Sequence, residues 1–125
     1  EVDKSLIKDC QFNMDLSYMA VEEMIKQDNL PSAFFATTDS MAIGAINCLI
    51  DHSYKVPEDV SVVGFNDTKL ASIYRPQITA IRQPIYDIGA VAVRVIVKKI
   101  AGDSDQQDKY ILPHELIIRD SCRKG

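Results

Sequence analysis

The chain contains no tryptophan, only five glycines and five prolines, and no positive excess of charge. No apolar run approaches the ~20 residues of a membrane-spanning helix. So few glycines and prolines, beside a hydrophobic share of 46%, argue against a disordered chain. Fourteen basic residues stand against 18 acidic ones, for a net charge of −4. A surface that grips DNA or RNA is usually basic, so direct nucleic-acid binding is not expected of these residues. Attachment to a separate DNA reader stays open. Cys10, Cys48 and Cys122 are odd in number and lack C-x-x-C or Cys/His ligand spacing. Neither a disulfide framework nor a zinc site is expected, and a reducing cytoplasm fits best. There is no P-loop, no G-x-G-x-x-G and no G-x-S-x-G, so no cofactor is expected and catalysis lacks its usual parts. The first residue is Glu1 and no signal-peptide pattern follows it, which suggests a fragment whose start lies upstream.

What is present is an alternation. Asn13 or Asp15 can cap a helix running to about Gln27, with Leu16, Ala20, Val21, Met24 and Ile25 as its apolar stripe. Ala33–Thr37 reads as a buried strand, and Asp39 then caps a helix to about His52. "VSVVGF" (60–65) and "ITAIR" (78–82) read as further strands. Pro84 suits the first position of a helix that ends in Lys98, Lys99 and Gly102. A loop "GDSDQQD" (102–108) leads to a last strand, "KYILPHELIIR" (109–119), which Pro113 must break or bulge. Helices alternating with buried strands predict an α/β fold on a largely parallel sheet.

In such sheets ligands bind outside the carboxyl ends of the strands. Thr37-Thr38-Asp39 follows one strand, Asn66-Asp67-Thr68 another, and Arg82-Gln83 a third. Asp39 is expected to act as helix cap, with an oxygen to spare for a ligand. Asn66-Asp67-Thr68 suits an Asx turn as well as a site. A magnesium-dependent phosphatase or receiver enzyme could use Asp39, Asp67 and Lys69, but no acidic pair closes the first strand. His52, late in a helix, and His114, after a proline, meet no nucleophile. A polyol ligand fits better: Asp39, Asn66 and Gln83 can engage adjacent hydroxyls, and Arg82 adds fixed donors. Phe12 can cover the apolar face of a sugar ring, or simply pack in the core.

The words "AFFATTDSMAIGAI", "VPEDVSVVGFNDT", "RPQITAIRQPIYDIGAVAVR" and "LPHELIIRDS" give the chain its resemblance to the effector domain of the lactose-repressor (LacI/GalR) family of bacterial transcription regulators. The resemblance covers nearly the whole chain, in the family's order and spacing. It implies a periplasmic-binding-protein-like class I fold, three-layer αβα, of which this is an incomplete fragment. Residues 1–78 would belong to the second lobe, 79–103 to a crossover strand and helix of the first, and 104–125 to the return strand and tail. The helix-turn-helix and most of the first lobe would lie outside the chain. The implied ligand contacts are Phe12 by stacking, and Asp39, Asn66, Asp67 and Gln83.

In "DSMAIGAINCLIDH" apolar residues occupy almost every side, and a helix apolar all round needs two partners for burial. One is the sheet; the other is either the rest of the lobe or a second subunit. The resemblance implies a homodimer through this helix and the following loop, with Met41, Ile43, Ile46, Ile50, Ser72 and Tyr74 in the interface. Tyr86, Arg94 and Lys98, with Asp87 beside them, share one face of the last helix. "YDIGAVAVR" is most similar to the catabolite control subgroup, whose matching face binds a serine-phosphorylated phosphocarrier protein. That subgroup has arginine where this chain has Glu115, which would repel a phosphate; a ribose-type repressor is the other subgroup option. The function implied is non-enzymatic: a cytoplasmic, sugar- or sugar-phosphate-responsive regulator of carbohydrate-use genes, reaching operator DNA only through the missing region. A secreted sugar-binding protein of a transporter is the alternative on the same fold.

Overall fold

The computed structural model describes residues 3–102 and 109–123. They fall into two compact units, one running to Arg82 and resuming at Leu116, the other being Gln83–Glu115. The third strand pairs within the first unit.

In the first unit, α1 (Met14–Lys26) begins at Asn13, whose side-chain oxygen accepts from the Asp15 and Leu16 amides at 2.8 and 3.0 Å. Such a cap stabilises a helix by about 1 kcal/mol. Next come β1 (Ala33–Phe35), α2 (Asp39–Asp51), β2 (Ser61–Asn66), α3 (Lys69–Ile73) and β3 (Thr79–Arg82). The chain then enters the second unit, made of α4 (Ile85–Ile100) and the segment after it, and returns through β4 (Glu115–Ile117). Sheet order is β1-β2-β3-β4. The first three strands are parallel, as the helix–strand alternation predicts, and their register sets Phe35 beside Val63 and Asn66 beside Arg82.

The core lies between the sheet and α2. Val62 and Ala80 are fully buried, as are Ala42, Ile46, Cys48 and Leu49 of α2. Above α2 lies α1, and the two helices approach so closely that a Cβ on Gly44 would stand 2.2 Å from the Met14 carbonyl oxygen. The buried face of α1 is Ser17, Val21 and Met24, slightly rotated from the apolar stripe: Ser17 turns inward because its hydroxyl donates to the Met41 carbonyl at 2.8 Å, and Leu16 sits at the edge.

Several element ends differ from the sequence reading. The first strand stops at Phe35, although the Ala36 amide still reaches the Val63 carbonyl at 2.8 Å. Ile78 bonds back to Ala71 instead of entering the ladder. Pro84 precedes the first turn of α4 and does not begin it, while Gly102, at φ +80°, ends the helix as its position suggests. Of the loop expected over 102–108, residues 103–108 lie outside the described residues. The last strand is reduced to Glu115–Ile117: Pro113 has no amide to donate, and the stretch before it does not pair.

Beyond β4 the chain is held by backbone and side chain together: the Asp120 and Ser121 amides donate to the Gln77 carbonyl, and the Ser121 carbonyl accepts from the Val62 amide. Ser121, fully buried, accepts from the Thr79 amide at 2.9 Å and donates to the Val62 carbonyl at 2.5 Å. Among the described residues no helix is long and apolar enough to cross a membrane.

Candidate functional site

Three parallel strands end on one rim, and their last residues are organised by two buried carboxylates. The first is Asp39. Its place in the helix is not the cap: Thr38 holds that position, its hydroxyl accepting from the Met41 amide at 3.2 Å. Asp39 is the first helical residue and only 1% exposed. One carboxylate oxygen accepts the Thr68 amide at 2.6 Å, joining the end of β1 to the loop after β2. The other has no hydrogen-bond partner among the described residues. It sits where Gly64 lacks a side chain, since a Cβ there would approach it to 2.7 Å. Asp39 therefore faces inward, beneath the rim, and is not a solvent-facing group.

The second carboxylate is Asp67. Asn66 and Asp67 take φ values of +98° and +54°, a left-handed pair of non-glycine residues that other contacts must hold in place. Those contacts are arginines. Arg82 donates to Asp67 from Nε at 2.7 Å, and Arg119 Nη2 lies 2.6 Å from the other oxygen, a charge contact of poorer alignment. The Asp67 side chain is 3% exposed and that of Arg119 13%. Removing Arg119, the enclosed partner, would cost roughly 3–5 kcal/mol, because a bare charge is left behind, whereas the half-exposed Arg82 contributes less. An aspartate neutralised twice is poorly placed to hold a magnesium ion, and no group of three metal-ligating side chains occurs among the described residues.

The surface of the rim is made by other residues. Thr37 and Thr68 are exposed, Asn66 is half-buried, and Arg82 is half exposed. Phe12 is 74% exposed on a turn where it and Gln11 both have positive φ, so it projects from the chain and does not pack in the core. Gln83 is half-buried and opens the second unit.

Three of the residues expected at a dimer interface are core. Met41, Ile43 and Ile46 are 8%, 6% and 0% exposed, covered within the chain. The second burial partner of α2 is α1, which accounts for its apolar circumference. Ile50, 47% exposed, remains on the surface, and Ser72 and Tyr74 are half-buried. The Tyr74 hydroxyl donates to Asn47, tying the end of α3 to α2. On α4, Tyr86, Asp87, Arg94 and Lys98 are all exposed.

Sequence reasoning missed Arg119 and Ser121, and gave the helix cap to Asp39 instead of Thr38. A signal existed for Arg119: an arginine in an apolar stretch is rarely buried unless paired. Gly64, alone inside an apolar strand, likewise marks a close approach.

Residues 7–122 match the periplasmic binding protein-like domain family. Catabolite control protein A of Priestia megaterium is 37% identical over 119 residues, which are 95% of this chain and 36% of that protein. Among solved structures, the complex of the transcriptional regulator CelR with cellobiose superposes with a TM-score of 0.88 at 30% identity, covering 97% of this chain and 37% of the other. The lac repressor dimer bound to operator and the anti-inducer ONPF gives 0.82 at 26% identity, over 89% of this chain and 38% of the other. The chain thus spans about a third of the length of the curated relatives it matches, 36% of the Priestia protein. By sequence and by fold, it belongs to the periplasmic binding protein-like domains of LacI-family transcriptional regulators.

Proposed function

We propose that this chain is an effector-binding and dimerisation region of a sugar-responsive, non-enzymatic LacI-family regulator that works in the cytoplasm on carbohydrate-use genes. The observation that carries the reading is the polar rim at the carboxyl ends of the parallel strands, where Asp39 and Asp67 brace the Asn66–Thr68 loop from below. Asn66 and the projecting ring of Phe12 supply direct contacts to a sugar or sugar phosphate. Asp39 and Asp67 act mainly by holding those contacts. CelR, similar in fold, is seen with cellobiose. The homodimer uses Ile50 of α2, Ser72 of α3 and Tyr74 just after it, with the exposed Leu70 and Ile73 of α3. Operator DNA is reached through another region. The exposed face of Tyr86, Asp87, Arg94 and Lys98 is the proposed surface for a phosphocarrier protein.

The mechanism is linkage. An effector that prefers one arrangement of the whole protein shifts its operator affinity, by a coupling of typically ~1–3 kcal/mol. Titration calorimetry of the whole regulator against a panel of mono- and disaccharides and their phosphates tests the reading. One ligand should bind with micromolar affinity and weaken at least ~10-fold in Asn66→Ala, about 1.4 kcal/mol. Equal affinity in wild type and variant would remove Asn66 from the site.

A further inference from the structure

We infer that Asp67 is a clasp that holds the two chain segments linking the compact units, and so is a positioning residue. The inference rests on geometry within the first unit and is independent of which effector binds. Arg82 is the last residue before the chain passes into the second unit, and Arg119 follows three residues after its return at Leu116. These arginines lie far apart in sequence, yet both close on the two oxygens of Asp67. Arg119 is anchored further, donating from Nη1 to the Ile78 carbonyl at 2.7 Å. Its own amide donates to the Thr79 hydroxyl at 2.9 Å. The carboxylate can reach both because Asn66 and Asp67 are left-handed, and the Thr68 amide, locked on Asp39, keeps the turn from relaxing.

One buried group thus sets where the chain leaves the first unit and where it re-enters. Loss of Asp67 frees the rim loop, the exit and the return together, although they are separated by tens of residues. An ordinary core contact would loosen its immediate neighbours or lower the stability of the whole unit evenly.

Amide hydrogen exchange on the protein decides. In Asp67→Asn, residues 66–68, 82–83 and 118–121 should exchange together at least ~10-fold faster, while α1 and β1 change less than about twofold. Arg82→Gln, at a half-exposed position and therefore safe for folding, should loosen 66–68 and 82–83 and spare 118–121. Arg82→Lys should restore protection. Acceleration confined to 66–68, an even rise across all amides, or no change in Asp67→Asn overturns the clasp. So does Arg82→Lys behaving like Arg82→Gln, and that pair carries the test if Asp67→Asn does not fold.

Discussion

Asp39 and Thr68 are 29 residues apart in sequence and 2.6 Å apart in space, the carboxylate of one receiving the backbone amide of the other. That bond joins the start of α2 to the loop after β2, and its carboxylate is almost fully buried.

Asp39→Ala leaves the Thr68 amide without its acceptor and opens a small space beside Gly64. A hydrogen bond to a charged group contributes about 1.5–3 kcal/mol net. Urea unfolding followed by circular dichroism should show a loss in that range with an unchanged m-value. A change below about 0.5 kcal/mol, ordinary for a surface substitution, would mean that the loop does not depend on this carboxylate.

The two helical glycines should respond in opposite directions. In Gly44→Ala the new methyl meets the Met14 carbonyl at 2.2 Å, a backbone atom that cannot swing aside. Overpacking of this kind costs typically ~1–3 kcal/mol. Gly89 lies in α4 with nothing within 4 Å of an added Cβ. Alanine there should raise helix content and stability by up to about 1 kcal/mol, the propensity difference between the two residues. Thermal melts of both variants check the pair, and destabilisation by Gly89→Ala would contradict the open surroundings of that site.

Cys48 gives the protein a specific alkaline weakness. Burial, with Glu22 and Asp51 adding to it, pushes its thiol up to about 11. The folded state therefore keeps the proton above the pH at which the unfolded chain releases it. The stability this contributes is complete below pH ~8.5 and is lost as pH rises toward about 11, at a slope of up to about 1.4 kcal/mol per unit. Burial likewise raises the Tyr74 phenol, so some alkaline loss is common to any variant. Urea midpoints at pH 8 and pH 10 should fall further apart in wild type than in Cys48→Ala; equal slopes would assign the weakness elsewhere.

The elements that could be read from sequence are those whose signal is periodic or chemical at short range. Asn13 before an amphipathic run, Gly102 after basic residues, and apolar runs bounded by turns mark α1, α4, β2 and β3 closely. Long-range packing hides the rest. Whether Thr38 or Asp39 caps α2 depends on the Thr68 amide, 29 residues further on, which draws the carboxylate inward. The apolar girth of α2 identifies the need for a second partner but cannot name it, and the partner is α1, admitted by Gly44. At the rim, sequence placed Asp39 and Asp67 near the strand ends without showing which way they turn. Asp67 faces two arginines from distant strand ends, a convergence that only the register and the return segment create.

The position of Ser121 bears on how the molecule is made. Its hydroxyl serves Thr79, 42 residues earlier, and Val62, 59 residues earlier. Both partners lie in strands synthesised long before, and between them and Ser121 comes the whole excursion through α4. During translation the sheet therefore waits, with the Thr79 amide and the Val62 carbonyl unserved, until the carboxyl-terminal segment comes back. The first unit is closed only after the chain has returned from α4, and a nascent chain cut off after α4 would leave it open.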